Sequence, residues 1–598
     1  MRRSARVILT TAAVGLIPAV ASAQPAPDPT SAAGSDAGSA AAAPTPPAAT
    51  GNLGMDEVKV KELVDREVAK ILNERAAREA AEREQAEEQS QAAGNAQAPA
   101  GQPSSPNNLT GGSGFMDTRI AFTLTNENML VQPGQTIPSV PGWHFGTPNS
   151  LGVLFFDNYD TRYSGFETLS HAVMYRDFHK GHFDAETAFV VRINELSQND
   201  ISLSDDGSYL VLSDWKDPDH VDPTRISLTV WPVSADRFRL GYSYRLSWGG
   251  DPEYGRSNSA TPGMKLQYDT DKAYAFIGAK SAIILDERTA EDESAFAFLG
   301  GAGIDPHPMV RLEVNGGYFD RGYNELIDVD DQKVRLFGAS AQIAIHKDMP
   351  VQSSIDYKLY KYNNERVSGL FDPVKYPGGI SWLAMSEFTV IGQTLKDPSQ
   401  TGTTKIQTGM AGDVNVRVMI DRIRLRFDAS YRDLAFILHS VPSLPTYEDF
   451  PADYKTTPDM FAAVGADRNW NDFLTVGLVF GVEKPATLTS PQGIPGGATG
   501  VTGSSTAVIM NDNVNTIITI LPTGKDAVPQ VAVKGTAKLD FGRIYSALLE
   551  VYYTYDGNQT TYQRVGCTSE QACPDAPFQY VFGQFNQLGV NATLQARF

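Results

Sequence analysis

Cysteine is almost missing from this chain: Cys567 and Cys573 are the only two in 598 residues. They sit six positions apart in a polar stretch with no histidine near them in sequence, so a small local disulfide formed in an oxidising periplasm is the first reading and metal binding the lesser one. Basic residues are outnumbered, 50 against 70 acidic, for a formal net charge of −20. Nucleic acid requires a net basic face and is excluded as a partner. Long hydrophobic runs are also lacking. Beyond the N-terminus nothing approaches the ~18 apolar residues of a membrane-crossing helix. The one remaining way through a bilayer is a closed barrel, which pairs every backbone amide between strands.

The N-terminus carries an export signal. Arg2, Arg3 and Arg6 precede an apolar run from Val7 to Val20, and Ala21, Ser22 and Ala23 supply small residues for cleavage, making 1–23 a signal peptide. Residues 24–53 are mostly Ala, Pro, Ser, Thr and Gly, too poor in apolar surface to fold, and form a disordered linker. In 54–90, Val60, Leu63, Val64, Val68, Ile71 and Leu72 make a stripe at helical spacing. A lone helix gains little from such a stripe in water, so it is either a short coiled coil between protomers or a plain spacer. Residues 91–114 return to a flexible linker.

From 115 to 598 the period falls from 3.6 to 2. In 237–248, Phe238, Leu240, Tyr242, Tyr244, Leu246 and Trp248 alternate with Arg237, Arg239, Gly241, Ser243, Arg245 and Ser247. A strand places these two sets on opposite faces. The pattern recurs at Phe183–Ile193, Val310–Tyr318, Ile355–Leu359, Ile423–Tyr431, Val531–Phe541 and Tyr545–Tyr555. The last strand is the most regular: Leu588, Val590, Ala592, Leu594, Ala596 and Phe598 alternate with polar residues or glycine, and the chain stops on the phenylalanine.

That closing strand resembles those of Gram-negative outer-membrane porins and related barrels. The resemblance implies that Leu594, Ala596 and Phe598 belong to a signal read by the barrel assembly machinery. The helix ahead of the barrel resembles, in architecture only, phosphate-selective porins with a short coiled coil. The expected fold is an all-β, antiparallel, up-and-down transmembrane barrel. Short turns are expected at 179–182, 234–236, 269–271, 305–307, 347–350, 420–421, 469–472 and 542–543, which gives about 18 strands, with about 16 or 20 as neighbouring counts. The connections 126–167, 195–225, 363–404, 437–459, 483–530 and 556–586 are then long loops. Either 363–404 or 483–530 could fold inward as a constriction, and the apolar stretch 381–392 is alternatively a strand. Trp231, Phe238, Trp470, Phe473, Phe541 and Tyr545 would form an interfacial girdle.

In a barrel the polar face points inward. Arg422, Arg424, Arg426 and Arg432 fall on one such face with Arg417 on the hairpin partner, and Arg237, Arg239 and Arg245 make a second row. Rows of arginine across a water-filled lumen select anions; alternatively they pair with Asp428, Glu313, Asp356 or Glu550 and stiffen the wall. No catalytic set emerges, since four of the eight histidines fall at or next to expected periplasmic turns. His179 and His182 have metal-ligand spacing but no third ligand in sequence, and neither metal nor cofactor is expected. The acidic clusters Asp217/Asp219/Asp222 and Asp328/Asp330/Asp331 read as solvated turns, with weak calcium binding as the alternative. The resemblance implies a passive channel for ions or small hydrophilic solutes. The competing role is a structural barrel tethered to the envelope through the N-terminal coiled coil. An energy-coupled transporter would need a larger barrel and a folded plug. Expected partners are outer-membrane lipid, lipopolysaccharide, the barrel assembly machinery and, as an assembly state, a homotrimer.

Overall fold

Along the strand Gly263–Asp269 the ordinary rule of protein interiors is inverted. Met264, Leu266 and Tyr268 lie on the exposed face, while Lys265, Gln267 and Asp269 are buried. The same inversion repeats on strand after strand, with Ile277 67% and Phe298 60% exposed. An apolar side chain left in water forgoes about 1.5–3 kcal/mol relative to burial. A continuous apolar exterior is therefore stable only against lipid.

The computed structural model describes residues 114–126, 142–145, 170–196 and most of 201–597. The gaps within the last stretch are 255–259, 352–375, 440–446, 492–503, 512–515, 565–577 and isolated positions, among them Arg237, Tyr242, Tyr244 and Pro350. The signal peptide, both linkers, the 54–90 helix, Cys567, Cys573 and Phe598 lie outside the described residues, as do Ile355, Tyr357 and Leu359.

The main sheet has 20 strands, of which Gly142–Phe145 and Ile201–Asp205 are short additions to its loop-side ends. The remaining eighteen are numbered here in chain order. They are β1 Gly114–Asn126, β2 Ser170–Lys180, β3 Phe183–Leu196, β4 Tyr209–Trp215, β5 Arg225–Trp231, β6 Gly263–Asp269, β7 Ala273–Asp286, β8 Glu291–His307 and β9 Val310–Tyr323. They continue as β10 Lys333–Lys347, β11 Ile380–Lys396, β12 Thr404–Ile420, β13 Ile423–Arg432, β14 Asp459–Trp470, β15 Leu474–Lys484, β16 Gln530–Phe541, β17 Tyr545–Tyr555 and β18 Asn586–Arg597. Each is antiparallel to its neighbours. β1 pairs with β2 through Phe115↔Tyr175 and with β18 through Ile120↔Leu594, so the series of pairings returns to its start.

The expected fold and strand number hold, with two strands reassigned. The segment 237–248 is not a wall strand. The turn expected at 234–236 lies instead at 216–224, between β4 and β5, and β4 falls inside the stretch expected to be the loop 195–225. The stretch 381–392 is indeed a strand, β11. Its alternation is blurred because Leu383, Met385 and Ile391 on the inner face join an apolar core inside the barrel.

That core forms around the connection from β5 to β6, residues 232–262, which folds into the lumen. Phe238, Leu240 and Leu246 are 0% exposed and Trp248 1%. Leu240 and Trp248 exchange backbone hydrogen bonds of 2.9 and 3.2 Å, closing a small hairpin. Of the two stretches expected to fold inward, the described part of 363–404 is mostly the wall strand β11, while 483–530 packs against a helix that touches the insert. The latter contributes three strands, with Lys455–Thr457, to a separate four-stranded sheet that packs on the helix α1, Leu434–His439. Trp470, Phe473, Phe541 and Tyr545 are outward and exposed as a girdle requires, whereas Trp231 and Phe238 stack on each other inside, ring centroids 5.2 Å apart.

Two outcomes test this architecture. The mature protein should migrate differently on a denaturing gel before and after boiling; identical mobility would contradict a closed barrel. Phe298→Arg, near the middle of β8 and facing outward, should destabilise the vesicle-folded protein by about 2–4 kcal/mol in denaturant titration, while Phe298→Leu should cost far less.

Candidate functional site

Inside the ring, charged side chains face one another from neighbouring strands, and their pairing follows the strand register. Arg424 stands opposite Asp467 and Arg432 opposite Asp459 across β13 and β14. The ion pairs form there: Arg424 Nε lies 2.8 Å from Asp467 and Arg432 Nη2 3.0 Å from Asp459. Arg426 shares Asp467 at 3.6 Å. Arg422, at the exposed turn before β13, reaches Asp472 at 2.8 Å and donates to Asn469 Oδ1 at 2.7 Å. Arg417 on β12 is buried directly opposite Arg426.

The second expected row belongs to the inward insert rather than to the wall. Arg239 binds Asp236 Oδ1 at 2.5 Å, within the insert itself. Arg245 crosses to the far wall, 2.5 Å from Glu483 on β15 and 3.3 Å from Asp459 on β14, with its guanidinium 4.2 Å from the Phe461 ring. Arg432 donates to the Arg245 carbonyl at 3.4 Å, so Arg245, Arg432, Asp459 and Glu483 form one buried network. Arg237 lies outside the described residues.

The acids named from sequence as wall partners engage a range of groups, Asp428 also sitting in the field of Arg245 and Arg417. Asp428 accepts from Asn415 at 3.1 Å, Glu313 from the Tyr274 hydroxyl at 2.7 Å, and Glu550 lies 3.3 Å from Lys534. Asp356 is outside the described residues.

The insert is fastened all round. Lys280 Nζ on β7 donates to the carbonyls of Ala235 and Gly249, both at 2.6 Å. Trp248 Nε1 donates to Ser340 on β10 at 3.0 Å, and Ser243 N to Glu387 on β11 at 3.0 Å. Arg321 on β9 donates to the Glu253 carbonyl at 2.6 Å, and His439 of α1 meets the Glu253 carboxylate at 3.2 Å. Gly241 is needed at the closest approach: its φ is +110° and a Cβ there would fall 2.4 Å from Glu387. Lys280, Glu387, Asp459 and Glu483 were not singled out in the sequence. Lys280, Glu387 and Glu483 each stand nearly alone on an apolar or small-residue strand face, and Asp459 shares its face with Asp467, a signal that has meaning only once something inside is known to need it.

The acidic clusters are turn-forming groups. Asp217 accepts backbone N–H groups from Asp219, Val221 and Asp222, which hold its carboxyl below the usual range. Asp222 is held down to about 2 by the Thr224 hydroxyl and the Lys216 ammonium. Asp328 is lowered by Lys396, 3.0 Å away, and by the Gly402 amide.

No known protein family and no curated protein matches this chain. Among solved structures it is similar to OccAB1 of Acinetobacter baumannii, at 8% identity over 83% of this chain and 99% of that one, with a TM-score of 0.38. It is likewise similar to OpdQ of Pseudomonas aeruginosa, at 6% identity over 82% and 97%, TM-score 0.37. OprD of the same organism aligns at 8% identity over 83% and 98%, TM-score 0.35. The strand pairing and the apolar exterior carry the assignment by themselves: the chain is an eighteen-stranded antiparallel barrel of the outer-membrane type.

Proposed function

We propose that this protein is an outer-membrane channel for passive diffusion of ions or small hydrophilic solutes, narrowed by the 232–262 insert, with residues 54–90 in the periplasm. The observation behind it is the inward polar face of a ring whose outside is apolar. A structural barrel needs charges where they fasten the insert, as at Lys280 and Asp459, but not partly exposed inward charges such as Arg424 and Lys538. Pores are lined in this way because solutes travel on water and on exchangeable polar contacts. The insert bonds to wall strands on several sides, so it determines how much of the cross-section is left to solute.

Selectivity is proposed to lean towards anions. On the β13–β14 wall the guanidiniums of Arg424 and Arg426 both reach Asp467, and Arg417 stands directly opposite Arg426. Guanidinium keeps its charge at any physiological pH, and fixed charge at a narrow point acts within a screening distance of roughly 8 Å. Much of the chain's acidity is spent in turns such as 216–224, away from that wall.

Planar-bilayer recordings test both statements. The wild-type protein should give discrete conductance steps; none in repeated insertions would count against a channel. Replacing 238–248 by a short Gly/Ser linker should raise the single-channel conductance, because the wall charges it uncovers would face water and the barrel would persist. Arg424→Gln with Arg426→Gln should shift the reversal potential towards cation preference. An unchanged potential would assign both groups to stiffening the wall.

A further inference from the structure

At the short-turn end of the barrel, two turns far apart in sequence bring together a set of donor atoms unrelated to the lumen network. His179 closes β2 and stands opposite Asp184 of β3 in the register, and its Nδ1 hydrogen-bonds the Asp184 carboxylate. The neighbouring turn 216–224 leans over this pair and adds His220, whose Nε2 lies 3.8 Å from Asp184 Oδ2. One donor atom from each of His179, Asp184 and His220 falls within 4.8 Å of the others.

His220 is held there by construction. Its φ is +57°, a left-handed conformation unusual for a residue with a side chain. The turn imposes it: His220 N donates to the Asp217 carbonyl at 3.0 Å, while the Asp217 carboxylate gathers the following amides. The imidazole stacks on Trp215 with ring centroids 4.1 Å apart and planes 15° apart, and meets His179 edge-on at 4.5 Å. Trp215 Nε1 donates to Asp184 Oδ2 at 2.8 Å, which orients the carboxylate as an outer-shell partner does at metal centres. What is left over is His220 Nε2, shielded from solvent and without a hydrogen-bond partner. A buried ring nitrogen aimed at a carboxylate and a second imidazole is short of a ligand.

The geometry points to a binding site for a divalent transition-metal ion of the zinc type, made by His179, Asp184 and His220. Two imidazole nitrogens and a carboxylate oxygen suit zinc better than the all-oxygen preference of calcium or magnesium. At metal–ligand distances of about 2.0–2.2 Å, tetrahedral donors stand roughly 3.4 Å apart. The three side chains reach that spacing by small rotations, the His179–Asp184 pair opening and His220 closing. His179 is about half exposed, so a fourth position opens to water. The ion would tie the turn after β2 to the turn after β4. His182, the histidine that sequence spacing alone pairs with His179, is engaged elsewhere: its Nδ1 lies 2.8 Å from the Trp215 carbonyl.

Equilibrium dialysis of the untagged mature protein, folded in detergent, against Zn²⁺ tests the site, with Co²⁺ absorption reporting ligand number. One ion per chain is expected, with visible Co²⁺ bands of a four- or five-coordinate nitrogen/oxygen site. Asp184→Asn and His220→Gly should each weaken Zn²⁺ binding by at least about tenfold, the size seen when even outer-shell partners are lost. Glycine suits the left-handed turn, so His220→Gly should still show the heat-modifiable folded band. His182→Ala should bind as the wild type does. Absence of stoichiometric Zn²⁺, or undiminished binding by folded His220→Gly, would overturn the proposal.

Discussion

A backbone amide inside a bilayer has no water to bond, and each one left unpaired costs several kcal/mol. The pairing of β1 with both β2 and β18 answers that requirement, and most of the architecture follows from it. A closed ring removes sheet edges. Strand alternation then divides every strand into a lipid face and a lumen face. With neighbours antiparallel throughout, all odd connections fall at one end and all even connections at the other. Most of the short turns, the girdle residues Trp470, Phe473, Phe541 and Tyr545, and the His179 cluster share one end for that reason, although the β10–β11 connection there, 348–379, is long.

The lumen face solves a different problem. Charged groups enclosed by a ring and an insert are stable only when partnered. Register does the partnering: strands β13 and β14 are set so that two arginines meet two aspartates directly. Elsewhere a basic side chain serves neutral acceptors, as Lys280 does with two backbone carbonyls, or an acid serves an amide, as Glu387 does with Ser243. Polarity that looks like channel lining in a list of residues is here partly the glue of an inward-folded segment.

This is why the sequence disclosed the wall better than the interior. Period-2 alternation is local, and it located β3, β9, β13, β16, β17 and β18 directly. It misled at 237–248, because alternating apolar and polar residues satisfy an insert as well as a wall strand. There Phe238, Leu240 and Leu246 pack on one another and on the barrel's inner surface, while Arg239 and Arg245 find acids. It was muted at β11, where apolar residues occupy both faces. The strand number holds although 237–248 is no wall strand and both β4 and β11 lie inside stretches expected to be loops. Partner identities such as Asp467 for Arg424, or His220 for Asp184, depend on register and on how a turn leans, and neither is written in local spacing.

The way the insert is fastened bears on how the molecule comes into being. Arg245 and Glu483 are 238 positions apart in the chain, and the insert also grips strands that precede and follow it on several sides of the ring. Contacts of such long sequence separation form late, since the intervening chain must be ordered before they repay its entropy. β5 and β6, which anchor the insert, lie close to it in the chain, whereas β15 is far downstream. The insert's local contacts, Leu240 with Trp248 and Lys280 with Ala235, therefore need far less chain to be ordered than the wall contacts that enclose it.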